Sequence, residues 1–124
     1  MAYIADTATV EHPENIKNNA RVIDYADVRD NARISGSARI FDYAKIYDSV
    51  WVFDDAKVGG YAKVFGNAWV HDYAEVYGSA EISGAAWVYG NAEVCGHTIV
   101  CENADVKKGK FEGWLVICGK AEIR

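Results

Sequence analysis

Val64-Phe65-Gly66-Asn67-Ala68-Trp69-Val70 holds one full period of this chain. A β-branched residue is followed by one variable position, a Gly-Asn pair, an alanine, a second variable position and another β-branched residue. Stepping by six in both directions from Ala68, the same slot between residues 2 and 104 holds alanine at 15 of 18 positions. Glu14, Val50 and Thr98 are the exceptions. Two residues further on, from Ile4 to Val106, all 18 slots hold valine or isoleucine. A repeat this strict decides the architecture before any single residue does.

The two positions before each alanine are punctuation, as at Asp24-Tyr25, Asp30-Asn31, Gly36-Ser37, Asp42-Tyr43, Gly60-Tyr61 and Gly90-Asn91. Glycine, asparagine and aspartate tolerate the left-handed or tight backbone that a corner needs. The unit is therefore a short strand followed by a two-residue corner. Period-two alternation sends alanine and the branched residue to one side and the variable residues to the other. Three such sides close a triangle, so 18 residues make one coil. The fold expected is all-β, a single-domain triangular solenoid of parallel strands. Residues 2–109 then wind about six coils, a tube roughly 29 Å long at ~4.8 Å per coil. Its interior is expected to be dry except at Glu14 and Thr98.

The quoted stretch resembles the hexapeptide-repeat motif of the left-handed parallel β-helix superfamily, best known from bacterial acyltransferases. The resemblance covers residues 2–109 and implies a left-handed coil. Crossovers between parallel strands in open sheets favour the opposite hand. It also implies an acyl-CoA-dependent trimer in which the cofactor lies between coils and a histidine acts as base on an acceptor hydroxyl or amine. His71 is the residue that would take that role, since His12 and His97 fall at corners. Such relatives usually carry the active site on a loop thrown out from the coils, whereas residues 2–109 run without an insertion.

Size and composition bound the remaining readings. A chain of 124 residues is one domain. Its 51% hydrophobic and 25% charged content excludes a disordered tail. A net charge of −5 argues against nucleic acid as a partner. No apolar run reaches the length of a membrane span, and Met1 to Asp6 lack the basic start of a signal peptide. Three cysteines, an odd number, suggest free thiols and a cytoplasmic protein. Cys95-Gly96-His97 with Cys101 has a metal-like spacing. However, Cys95 and Cys101 fall on different sides of the triangle, so no metal is expected.

The pattern breaks at both ends. His12-Pro13-Glu14 disturbs the second corner and places a carboxylate in an alanine slot. Near the other end, Lys110 and Glu112 occupy slots due to alanine and valine, and the hexad resumes at Leu115-Val116-Ile117 one residue out of phase. The division expected is a hexapeptide-repeat β-helix over 1–109. Residues 110–124 then form a C-terminal cap or interface segment of the same domain.

With the core assigned, function falls to the outward slots. One side carries Arg33/Ser35, Trp51/Phe53, Trp69/His71, Trp87/Tyr89 and Asp105/Lys107. Each aromatic buries roughly 150–250 Å², so six together exceed what a soluble monomer usually exposes. The candidate interface is therefore Trp51, Phe53, Trp69, His71, Trp87 and Tyr89, with Trp114 added from the C-terminal segment. A second subunit in a dimer or trimer, another protein, a sugar polymer or the C-terminal segment could cover it. Plain ladder packing between stacked rings is the competing account.

The slot before each branched residue is basic early (Arg21, Arg33, Arg39, Lys45, Lys57, Lys63) and acidic later (Glu75, Glu81, Glu93, Asp105). The stacked cations are expected to lean on corner aspartates such as Asp24, Asp42 and Asp48. The function expected is a non-catalytic scaffold that self-associates or binds a partner through its tryptophan side, with no cofactor. The alternative is a minimal trimeric acyltransferase that uses acyl-CoA and His71.

Overall fold

A computed structural model describes residues 1–124. It is a three-sided prism of parallel two-residue strands. The first face stacks Tyr3–Ile4, Arg21–Val22, Arg39–Ile40, Lys57–Val58, Glu75–Val76, Glu93–Val94 and Lys110–Phe111. The second stacks Thr9–Val10, Asp27–Val28, Lys45–Ile46, Lys63–Val64, Glu81–Ile82, Ile99–Val100 and Val116–Ile117. The third stacks Arg33–Ile34, Trp51–Val52, Trp69–Val70, Trp87–Val88, Asp105–Val106 and Glu122–Ile123. We call these the charged, mixed and tryptophan faces.

Pairing runs from each coil to the next in an 18-residue register, as in Trp51 with Trp69 and Trp69 with Trp87. The N–H of Trp51 donates to Ala68 O at 3.1 Å, and that of Phe53 to Val70 O at 3.0 Å. Every inward alanine, valine and isoleucine from Ala20 to Val94 is fully or almost fully buried in one continuous column. Burial of a valine or isoleucine side chain is worth about 1.5–3 kcal/mol, so this column is the main source of stability. Thr98, also inward, is 0% exposed, and its Oγ1 has no hydrogen-bond partner.

The corners explain why aspartate and glycine alternate there. From Asn18 to Glu102 the first corner residue has positive φ, as at Asp24 (55°), Asp42 (54°), Gly60 (61°) and Gly96 (64°). Its own N–H faces the coil beneath, and where that coil has an aspartate the carboxylate receives it. Asp42 N–H donates to Asp24 Oδ2 at 3.0 Å and Gly60 N–H to Asp42 Oδ2 at 3.1 Å. On the next corner Asp48 N–H donates to Asp30 Oδ2 at 3.1 Å and Gly66 N–H to Asp48 Oδ2 at 2.9 Å. These aspartates therefore do not hold the stacked cations, as the sequence suggested. The backbone N–H is nearer and fixed, and it needs an acceptor. Gly60 has a further constraint, because a Cβ there would lie 2.7 Å from Gly78 N.

Two end features differ from the expectation. Glu14 does not enter the core: Pro13–Asn15 form a 3-10 turn that carries its side chain into solvent, 74% exposed. The first coil accordingly has no tryptophan-face strand, only the bridge Ile16–Ile34. At the other end residues 110–124 form a seventh coil, paired with the sixth on all three faces. A count of six coils is thus short by one. The missing residue lies at the Lys107–Lys108 corner, not in 110–114. Gly109 (φ 102°) takes the alanine slot, and Phe111 pairs with Val94 in the branched slot. No helix in the structure is long and apolar enough to cross a membrane.

Candidate functional site: the tryptophan face

Because the register is 18, Trp51, Trp69 and Trp87 fall on one line and Phe53, His71 and Tyr89 on the line beside it. Trp69 and Trp87 stack at 4.9 Å and 2°, while Trp51 meets Trp69 edge-on at 5.1 Å and 84°. In the second line His71 is stacked between Phe53 (4.6 Å, 2°) and Tyr89 (5.0 Å, 7°). The two lines interlock edge to face, as at His71–Trp87 (5.8 Å, 80°). Arg33 lies 5.8 Å from the Trp51 ring at one end of the face. Asp105 and Arg124 pair at 3.2 Å at the other. Trp87 remains 41% exposed, and Trp51 and Trp69 are half-buried.

This packing satisfies part of the aromatic surface internally. The facing sides of Trp69 and Trp87 are stacked on each other, which leaves less flat indole surface for a sugar ring to stack upon. The Asp105 carboxylate, followed by burial, raises the Tyr89 hydroxyl above its ordinary value and keeps it protonated.

His71 is more constrained than its sequence neighbours suggested. Its Nδ1 lies 3.2 Å from Asp72 Oδ1, and its side chain is only 12% exposed. Nε2 is buried and has no partner. Burial alone would raise the Asp72 carboxyl. The Gly90 N–H, His71 and Asp54 outweigh that and hold it below the usual aspartate value. Asp72 is therefore an orienting partner that sequence reading misses, since its position marks it only as a corner residue. The pair has the acid-oriented histidine of a general base, but the nitrogen that would take the proton is sealed under aromatic rings.

Asp54, His71 and Asp72 bring three ligating atoms within 4.8 Å. Both carboxylates already accept backbone bonds, Asp72 N–H to Asp54 at 3.3 Å and Gly90 N–H to Asp72 at 3.1 Å. His12 sits between Glu11 and Glu14 at the opposite end of the chain. His97 stacks with Trp114 at 4.0 Å and 8°. The three histidines are thus not brought together.

Trp114 does not join the tryptophan face. It lies at the corner between the charged and mixed faces, over His97, and is 83% exposed. The aromatic site is Trp51, Phe53, Trp69, His71, Trp87 and Tyr89. The free-thiol expectation also fails for two cysteines. Cys101 and Cys118 form a disulfide between the sixth and seventh coils, Cα–Cα 4.6 Å, while Cys95 is free and buried. This removes the support that free thiols lent to a cytoplasmic location.

Compared with known protein families, curated proteins and solved structures, the chain matches none. The β-solenoid stands on its own geometry.

Proposed function

We propose that the protein is a non-catalytic β-helical scaffold of the left-handed hexapeptide-repeat kind, which self-associates through its tryptophan face. The supporting observation is the aromatic double line, laid over a rigid prism and still partly open to solvent at Trp87. A ladder serving only the monomer has no need of so much apolar surface outside a core that is already closed.

A single substitution pair tests this. Sedimentation of the wild type should give a mass that is a multiple of 13.7 kDa. Trp69→Glu/Trp87→Glu should return it to one chain, with the β-sheet circular dichroism unchanged. A wild-type chain that stays monomeric at high concentration, or a variant that assembles equally well, overturns the proposal.

The orientation of His71 by Asp72 favours one second reading, the trimeric acyltransferase with His71 as base. Acetyl-CoA would then bind the native state and raise its melting temperature. Absence of a shift at millimolar acetyl-CoA removes that reading, and the covered Nε2 weighs toward that outcome.

A further inference from the structure

The charged face has an order of its own. From coil to coil its outward row reads Arg21, Arg39, Lys57, Glu75, Glu93, Lys110. Arg21, Arg39 and Lys57 have no carboxylate within 4.0 Å, and Glu75 has no cation. Arg21 lies against the Tyr3 ring at 5.6 Å. Like charges one coil apart repel, and the corner aspartates Asp24 and Asp42 are committed to backbone N–H groups instead of relieving them. Only Glu93 is engaged, accepting from Tyr77 Oη at 2.5 Å and lying 3.8 Å from Lys110. Beside this row runs a second, Ile23, Phe41, Gly59, Tyr77 and Cys95. Phe41 lies across Gly59, where a Cβ would sit 2.2 Å from the ring, so this second row has no side chain of its own at Gly59.

The sign of the row inverts between Lys57 and Glu75, and Lys110, 3.8 Å from Glu93, returns it to positive only in the last coil. A two-fold axis through the point between Lys57 and Glu75, perpendicular to the prism, sets a second copy antiparallel. Lys57 then faces Glu75 of the partner subunit, and Arg39 faces Glu93 of the partner subunit, each pair occurring twice by symmetry, against one like-charge pair at the rim, Arg21 with Lys110 of the partner subunit. A parallel copy would set Arg39 against Arg39 and Glu75 against Glu75.

We propose that the charged face is an antiparallel self-association surface, distinct from the tryptophan face and specified by this inversion of charge. A side of about four extended residues at ~3.3 Å each, stacked over some 30 Å, offers roughly 400 Å² per copy, half of a standard interface. The contact is therefore weak and salt-sensitive.

Sedimentation in the Trp69→Glu/Trp87→Glu background separates this surface from the first, because any remaining dimer then forms elsewhere. At low salt that chain should dimerise reversibly, and physiological salt should weaken the dimer. Lys57→Glu and Glu75→Lys should each weaken it by roughly tenfold or more, since each sets like charges face to face. Mixed one to one, the two singly substituted chains should pair again as a heterodimer. The carboxylate introduced in one chain then meets the ammonium introduced in the other, and the unaltered Glu75 and Lys57 meet across the axis. Failure of the mixture to pair, or either variant dimerising as before, overturns the proposal. If heparin binding falls in Lys57→Glu while the mixture stays monomeric, the basic row serves a polyanion and the proposal fails. A tryptophan face that proves inert leaves this outcome untouched.

Discussion

Thr98 is the one residue of the column whose chemistry does not match its place. Its hydroxyl is fully enclosed and makes no hydrogen bond, a condition that costs about 1–3 kcal/mol relative to a satisfied or apolar group. The slot tolerates a branched aliphatic side chain, as Val50 shows at 1% exposure. Thr98→Val should therefore raise stability by about 1 kcal/mol, read as a higher denaturant midpoint at unchanged slope. A neutral or lower midpoint would mean that the hydroxyl has a partner. At this scale the inward residues were the legible ones, because hydrophobic identity alone places them. The corner aspartates were legible only as turn formers. Their role as acceptors for the N–H of the next coil arises from stacking, and a residue's own neighbours in sequence do not reveal it.

Among elements, the last coil is the instructive one. Deleting one corner residue at Lys107–Lys108 shifts all later residues by one, so Cys101 and Cys118 are 17 apart instead of 18. The shift is the same wherever between Cys101 and Leu115 the residue is dropped, so Cys118 follows Ile117 as Cys101 follows Val100. The two thiols are therefore neighbours on adjacent coils, a pairing that reading the odd number of cysteines as free thiols conceals. Closing a loop of that length contributes about 3 kcal/mol in the chain-entropy account. The seventh coil needs such a tie. Its inward residues Phe111, Ile117 and Ile123 are only half-buried, and Trp114, Leu115 and Val116 are exposed. Cys118→Ser should speed amide exchange at Lys110–Ile123 while leaving the strands between Lys45 and Val76 as protected as before. Equal acceleration throughout would show that the coils unfold as one unit.

The whole molecule behaves as a one-dimensional stack, in which each coil touches only the coils above and below. The first coil has one neighbour, a 3-10 turn in place of its third strand, and half-buried Ile4 and Val10 in its core slots. Exchange should consequently be fastest at Tyr3–Val10, slowest in the central coils, and intermediate in the seventh, which the disulfide retains. Uniform protection along the prism would contradict this order. Prism, register and the alignment of the three tryptophans were all readable from the hexad, because a period is a global property written locally. The mutual cover of Trp69 and Trp87, the sealing of His71 and the place of Trp114 were not readable. They depend on side-chain rotamers and on where a single residue was dropped.

That dropped residue has a practical side. The prism keeps every pairing on all three faces across a coil of 17 residues, so corner length is independent of the core's register. Lys107 and Lys108 are solvent-exposed, and only Gly109 bends to close the gap. A corner that can shed a residue without loss can also accept extra ones. Lys107–Lys108 is thus the natural splice point for grafting a foreign loop, or for one acquired in evolution, onto an otherwise unbroken spine.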